Sequence, residues 1–262
     1  MRQIKRMYRY PVKGLSAESL NSVSLQKGRG FPLDRTYAIT NGVAEVDSAS
    51  TKPEPKTSFL VLMKFEELAK LKTVFDPDTA RLEVRDSHSG DLLVHGSLED
   101  VTERLRVEEF FHRFLGDQRL ENKPSIVHRP LHPLTDVSVV SPALMHSVSL
   151  INLASLREVE SAMGQKLDPL RFRANIYFDG GEPWEEFDWM DKEIRLGTAA
   201  GRVCFRTRRC PATDVNLKTA ERDTKIPQFL RKNFGHGDLG VYAEICTGGK
   251  IASGDWIGLA SE

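Results

Sequence analysis

Residues 171–178 read RFRANIYF, and the alternation in this stretch decides the expected fold class. Successive side chains of a strand face opposite sides. Phe172, Ala174, Ile176 and Phe178 would therefore share one apolar face, and Arg171, Arg173, Asn175 and Tyr177 the other. Two guanidiniums and an amide on one side form an anion receptor, because arginine offers a planar fork of donors matched to phosphate. The competing reading is the solvated outer face of an edge strand. Working outward, residues 192–196, 201–207, 240–246 and 256–259 are further β-prone runs between Gly-containing turns, with a short helix near 227–233. That pattern predicts a barrel or sandwich. Just upstream, VSLINLASLREVESAMGQ (148–165) reads as a strand running into a helix that stops at Gly164.

The first part of the chain extends the β pattern. A strand is expected over 2–10, stopped by Pro11, and a short alternating run holds Val23 and Leu25. Another strand at 36–40 ends on the turn signal Asn41-Gly42. Residues 47–58 are polar and contain proline, the composition of a mobile loop, and 65–71 fits a short helix. Residues 81–84 and 92–95 form an expected hairpin across Ser89-Gly90. The clearest helix would be capped by Ser97, with Asp100 in the capping-box slot. Val101, Leu105, Phe111, Phe114 and Leu115 recur at helical spacing up to Gly116. Residues 117–140, with Pro124, Pro130 and Pro133, are expected to connect two halves. The class is α+β, mainly β, with few helices.

Lys plus Arg and Asp plus Glu both number 37, so no global basic field draws the chain to nucleic acid or an anionic membrane. The charge is local instead: residues 202–209 carry four arginines and no acid. Three cysteines are too few for a disulfide framework or for the four ligands of an iron–sulfur cluster. The charged N-terminus lacks the apolar core of a signal peptide, and no run is long enough to span a membrane. A reduced, cytoplasmic setting is expected.

Within GRVCFRTRRCPATDV (201–215), Cys210 sits beside Arg208 and Arg209 and just before Pro211. Nearby cations favour a thiolate, a soft ligand for a soft metal centre, and the position suits the exit from a strand. An ordinary buried cysteine is the competing reading, and it is the one kept for Cys204 and Cys246. The seven histidines (88, 95, 112, 128, 132, 146, 236) have no companion motif for zinc, and Gly28-Arg29-Gly30 lacks the rest of a dinucleotide fingerprint. Glu182, Glu185, Glu186, Asp188 and Asp191 read as a solvated loop, in which Trp184 and Trp189 would mark a partner or substrate surface.

YPVKGLS, LDRTYAI, INLASL, RFRANI, RTRRCPAT, GVYAEI and GKIASGDWI occur in an order that resembles the MOSC family with its N-terminal β-barrel domain, the group that includes the mitochondrial amidoxime-reducing component and its bacterial relatives. The resemblance covers nearly the whole chain. It implies an N-terminal MOSC-associated β domain over 1–120 packed against a MOSC-type β-barrel domain over 121–262. It also implies a molybdenum–molybdopterin cofactor whose metal takes Cys210 as its protein ligand and as the catalytic residue. By position, the cofactor would be held by Lys13 and Gly14 of PVKG, Arg35 of LDR, Ala154 and Ser155 of ASL, and Arg173 and Asn175 of RFRAN. Arg208 and Arg209 before Cys210 and Tyr242 of GVYAEI complete that set. The chain departs from the family where Gly14 replaces a serine, Ala174 a proline, and PATDVN follows Cys210 in place of a Thr-Thr-Val run.

The implied activity is reduction of a small N-hydroxylated compound, N–OH to N–H. No iron–sulfur, flavin or NAD site is expected in this chain, so electrons would come from a separate protein: a ferredoxin, a flavodoxin or flavoprotein reductase, or a cytochrome b5-like donor. The loop 182–191 would wall the substrate mouth. One rival is a cofactor or sulfur carrier without redox turnover, although the pyridoxal-phosphate half of the sulfurases is missing here. Another is a binding module that recognises some other anion.

Overall fold

The largest sheet takes its strands from both ends of the chain. The computed structural model describes residues 1–43, 46–120 and 122–261, and of residues 142 and 143 the backbone alone. Early strands are β1 (Gln3–Arg9), β2 (Glu18–Leu20), β3 (Ser22–Leu25) and β4 (Tyr37–Ile39). A meander of β5 (Leu71–Asp76), β6 (Arg81–Asp86) and β7 (Leu92–Ser97) leads into α1 (Val101–Leu115) and β8 (Ile126–His128). Next come β9 (Val148–Asn152), α2 (Leu153–Met163), β10 (Ile176–Asp179), β11 (Glu193–Leu196) and β12 (Ala199–Arg208). The chain closes with α3 (Ile226–Phe234), β13 (Asp238–Thr247), β14 (Gly249–Ala252) and β15 (Ile257–Leu259).

Eight strands pair in the order β15-β11-β12-β13-β9-β10-β1-β2, a curled, mainly β arrangement with few helices, as the alternation predicts. The early segments cross back: β1 pairs with β10, and β3 with β14. The boundary expected at 120/121 is thus bridged by strand pairing, and residue 121 itself lies outside the described residues. Residues 117–140 are more than a connector, since β8 pairs with β4. No described helix is long and apolar enough to cross a membrane.

β9 shows why a near-continuous apolar run belongs at the sheet's centre. All five of its residues are buried, and it lies parallel to β10, where covered faces favour unbroken hydrophobicity. Val148 and Leu150 enter one core with Ile176, Phe178 and Val241, and Ile151 enters another with Tyr177, Leu156 and Leu230. Asn152 then caps α2 by accepting the Ala154 N–H at 2.9 Å, and Gly164 ends it in the left-handed region.

The structure corrects five local expectations. Asp100, not Ser97, caps α1, accepting the Glu103 N–H at 2.8 Å while Glu103 reaches back to the Ser97 N–H. Val107, Phe111 and Leu115 form the buried stripe, whereas Val101 and Leu105 are exposed. The loop over 47–58 is tied down by the buried Arg129, which donates to the carbonyls of Asp47 and Lys52 and pairs with Glu54 at 3.3 Å. The strand expected over 171–178 begins only at Ile176. Pro169–Phe172 is a 3-10 turn started by the Asp168 side chain, and Arg173 adopts φ 52, so the alternation over 171–175 never becomes a pleat. Tyr177 accordingly packs in the core beside Phe172 and Ala174.

The fifth correction concerns the acidic loop. Trp189 is buried and stacks on Phe178 at 5.2 Å, and Trp184 packs against Phe187, Phe234 and His236. Glu186 is 0% exposed and accepts from Ser155 Oγ at 2.8 and 2.9 Å and from Asn152 Nδ2 at 3.1 Å. Among the described residues no cation pairs with it, and burial pushes its carboxyl up to about 7 against the pull of those hydrogen bonds. A raised carboxyl favours the folded state when protonated. Its contribution is full below the ordinary 4.5 and lost as pH rises through about 7. Glu186→Gln should therefore flatten the fall in stability between pH 5 and 8, a change on the order of 2–3 kcal/mol. Urea midpoints across that range check it, and an unchanged slope would assign the titration elsewhere.

Candidate functional site

A cavity of about 480 Å³ opens where the early segments meet the end of β12. Eight cationic side chains line it (Lys13, Arg35, Lys56, Arg171, Arg173, Arg208, Arg209 and Arg231) against two carboxylates, Asp34 and Asp136. In a chain with net charge +0, that imbalance is the defining feature of the site.

Tyr10 organises the basic end. Its buried ring lies 4.7 Å from the Arg35 guanidinium and 4.2 Å from that of Arg173, a cation–π arrangement that holds two like charges together. Both arginines sit in left-handed backbone, with φ 55 and 52. Such strain in non-glycine residues persists only where the surroundings over-determine it. Here they do: Arg35 N–H donates to Tyr10 O at 2.7 Å, Arg35 Nη2 to Arg173 O at 2.9 Å, and Arg173 Nη1 to Leu15 O at 2.7 Å. Asp34 accepts from the Tyr10 N–H at 2.8 Å and from Arg35.

Lys13 is buried and donates to Leu134 O at 2.8 Å and to Asp136. Burial draws its ammonium down, opposed by Asp136. Partial desolvation on its cavity side would by itself lift Asp136, but Lys13, Lys56 and Arg35 outweigh it and hold that carboxyl at about 2. Gly14 follows with φ 84, and a Cβ there would run into the Leu60 carbonyl oxygen. The backbone at this turn therefore accounts for a glycine where the resemblance expects a serine.

Cys210 stands two residues beyond the end of β12, as the capping residue of the 3-10 turn Pro211–Asp214. Its carbonyl accepts from Thr213 N–H at 3.0 Å and Thr213 Oγ1 at 2.9 Å, which fixes the backbone and leaves the thiol on the cavity wall. Arg209 is a buried staple, donating to Leu239 O through Nε at 2.8 Å and to Phe172 O through Nη1 at 2.8 Å. Burial lowers its guanidinium, and no carboxylate is among its hydrogen-bond partners. Arg208 is exposed at the rim. Tyr242 of β13 lines the wall, its hydroxyl pushed up by burial.

Most of the expected residues thus converge: Lys13, Gly14, Arg35, Arg173, Asn175, Arg208, Arg209, Cys210 and Tyr242 all line one cavity. Ala154 and Ser155 do not. Ser155 is 0% exposed and spends its hydroxyl on Glu186 and on the Trp184 N–H. The serines at the cavity are Ser147, just before β9, and Ser149, on β9, the strand before the expected pair. Ser149 Oγ donates to Asn175 Oδ1 at 2.8 Å and accepts the Asn175 N–H at 3.0 Å, so Asn175 clamps β9 as well as lining the wall. Arg171 lines the cavity but forms a two-pronged pair with Asp223, both bonds 2.7 Å, which neutralises it. The loop 182–191 does not line the cavity. Asp136, Lys56 and Thr207 were absent from the expected set. Asp136 lies in the Pro-rich passage, and an alternating strand gives no sign that Thr207 lines a cavity.

The donor chemistry suits an anionic group that carries a metal. Arg173 Nη2 and Thr207 Oγ1 are buried and make no hydrogen bond to the protein. A charged donor left so costs free energy until an acceptor reaches it. Among the described residues no three His, Cys, Asp or Glu side chains converge as a metal site. A metal taking Cys210 would have to bring its other ligands with it.

The chain is similar to several known proteins. Over 96 residues the chain is 32% identical to the molybdenum cofactor sulfurase of Drosophila mojavensis, a match covering 36% of this chain and 12% of that one. The sulfurase of Drosophila willistoni is 30% identical over 115 residues, covering 39% and 14%. The chain thus spans a small part of these relatives' length. Among solved structures, the YUAD protein from Bacillus subtilis is 12% identical, with 98% and 94% covered and a TM-score of 0.43. YiiM from Geobacillus stearothermophilus is 18% identical, with 43% and 53% covered and a TM-score of 0.35. The MOSC N-terminal beta barrel domain matches residues 1–118 and the MOSC domain residues 137–258, so the chain belongs to the MOSC family.

Proposed function

We propose that this cavity binds a molybdenum–pterin cofactor and that the protein reduces N-hydroxylated compounds with electrons from a separate donor protein. The observation that carries the reading is the set of seven cations, besides the neutralised Arg171, facing two carboxylates around a single cavity-wall cysteine. Lys13, Arg35 and Arg173 would hold the phosphate end, where several charge-assisted hydrogen bonds converge. Cys210 would hold the metal, with Arg209 supplying positive potential behind it. The bound cofactor supplies two-electron redox chemistry, while the chain binds it, orients it and shapes the space beside it. Val139, Val140 and Ala212 give that space an apolar side for the body of a substrate, and the exposed Arg208 and Arg231 leave the rim positive toward a donor.

The test is conversion of benzamidoxime by protein made in a molybdenum-replete host. Turnover is expected with reduced viologen and is expected to be absent without a donor. Well-loaded protein that turns over none of a panel of N-hydroxylated substrates would favour carriage of the cofactor or its sulfur. The likeness to molybdenum cofactor sulfurases points to that second reading.

A further inference from the structure

We propose that Asp136 is a built-in competitor for the anion-binding end of the cavity: an anionic group that reaches Lys13 displaces the Asp136 carboxylate and shifts the segment carrying it. The inference rests on the reading of the cavity as an anion site and names how that site is guarded.

The two carboxylates of the cavity differ in how they are held. Asp34 is 6% exposed and committed to the Tyr10 N–H and to Arg35, so it is part of the wall. The Asp136 side chain is 45% exposed, and its partners among the described residues are Lys13 and, at 4.0 Å, Lys56. It neutralises the one buried ammonium of the cavity while remaining free to leave on its solvent side. Lys13 keeps a second bond, to Leu134 O at 2.8 Å, so losing Asp136 does not strand it.

Asp136 also begins the 3-10 turn Val137–Val139 without a side-chain cap bond. That turn and the next residue carry Val139 and Val140 onto the cavity wall, 50% and 58% exposed. Ser138 Oγ anchors the base of the turn by donating to Thr135 O at 2.7 Å. The carboxylate and the apolar lip are therefore one piece. An incoming oxyanion brings like charge beside Asp136, and like charges at close range repel most where water is partly excluded. Lys13, Lys56 and Arg35 would then serve the ligand in place of Asp136, and the lip would move with the carboxylate.

The experiment uses the full-length chain made in a host unable to synthesise the pterin, titrated calorimetrically with inorganic pyrophosphate. Asp136→Asn keeps the shape and an acceptor oxygen but removes the charge. It should bind pyrophosphate at least tenfold more tightly than the unaltered chain, with a gain that shrinks as salt screens it. Equal or weaker binding by folded Asp136→Asn, or no binding by either protein, overturns the proposal. A second measurement needs no variant: the Val139 and Val140 methyl resonances of the unaltered chain should shift saturably with pyrophosphate. Binding that leaves them unmoved also overturns it. Molybdenum content measured separately keeps the two readings apart, since normal loading beside any of these failures leaves the cofactor assignment standing.

Discussion

Cys210→Ser protein is expected to fold normally, keep the cavity and lose all measurable reduction of N-hydroxylated substrates. The exchange alters one atom of a side chain whose backbone is fixed independently through its carbonyl by Thr213. Stability should change little. Chemistry should change completely, because a serine hydroxyl is a hard, weakly acidic donor where a soft metal centre calls for thiolate. The other two cysteines provide the control. Burial pushes the Cys204 thiol up to about 11, helped by Glu244, and its S–H donates to Tyr242 O at 3.4 Å. It is a packed thiol with no reason to ionise. Cys246 lies on β13 and does not line the cavity. Cys204→Ser and Cys246→Ser should retain activity and the metal's spectrum, whereas Cys210→Ser should alter both. Full activity in Cys210→Ser would remove the thiolate assignment.

What the sequence made legible was local. The strand-to-helix passage through Asn152 and Gly164 was readable, because an apolar run and a helix stop are encoded by neighbours. So were the β12 and β13 strands and the exit at Cys210. The errors arose where distant partners decide. Nothing near Arg171 announces Asp223, 52 residues away, and without that pair the alternation of 171–178 imitates a strand. Glu186 looked solvated among four other acids, yet Ser155 and Asn152, 31 and 34 residues earlier, carry it into the interior. The same bond holds the Ser155 hydroxyl away from the cavity. Asp136 sits in a stretch whose prolines suggested only a connector, and its importance comes from Lys13, 123 residues back. The convergence of Lys13, Arg35, Arg173 and Cys210 could be expected from family resemblance but not from any spacing in the chain.

Lys13→Met/Arg35→Met protein should retain molybdenum and pterin at least a thousandfold less tightly, with Cys210 intact. Both residues belong to the first 40, whereas Arg173 and Cys210 lie far downstream. The expectation therefore tests whether the anion end is shared between distant parts of the chain. Truncating one partner of a buried charged pair typically costs about 2–5 kcal/mol of binding. Here the double change also leaves Asp34 and Asp136 without their nearest cations, so the same end of the cavity turns from attractive to repulsive for a phosphate. The opposing argument is that Lys13 and Arg35 are already neutralised by those two acids and contribute little net field. The geometry weighs against it. Both cations are largely buried, and Arg35 and Arg173 both pack on the Tyr10 ring, so removing one leaves the other poorly placed. Lost bonds from Lys13 to Leu134 O and from Arg35 to Arg173 O will cost some stability, and circular dichroism must show a folded chain before loading is compared. Molybdenum and pterin per folded chain is then the deciding number. Full occupancy would make Lys13 and Arg35 scaffold only, and would leave the anion to Arg173 and the other remaining cations of the cavity.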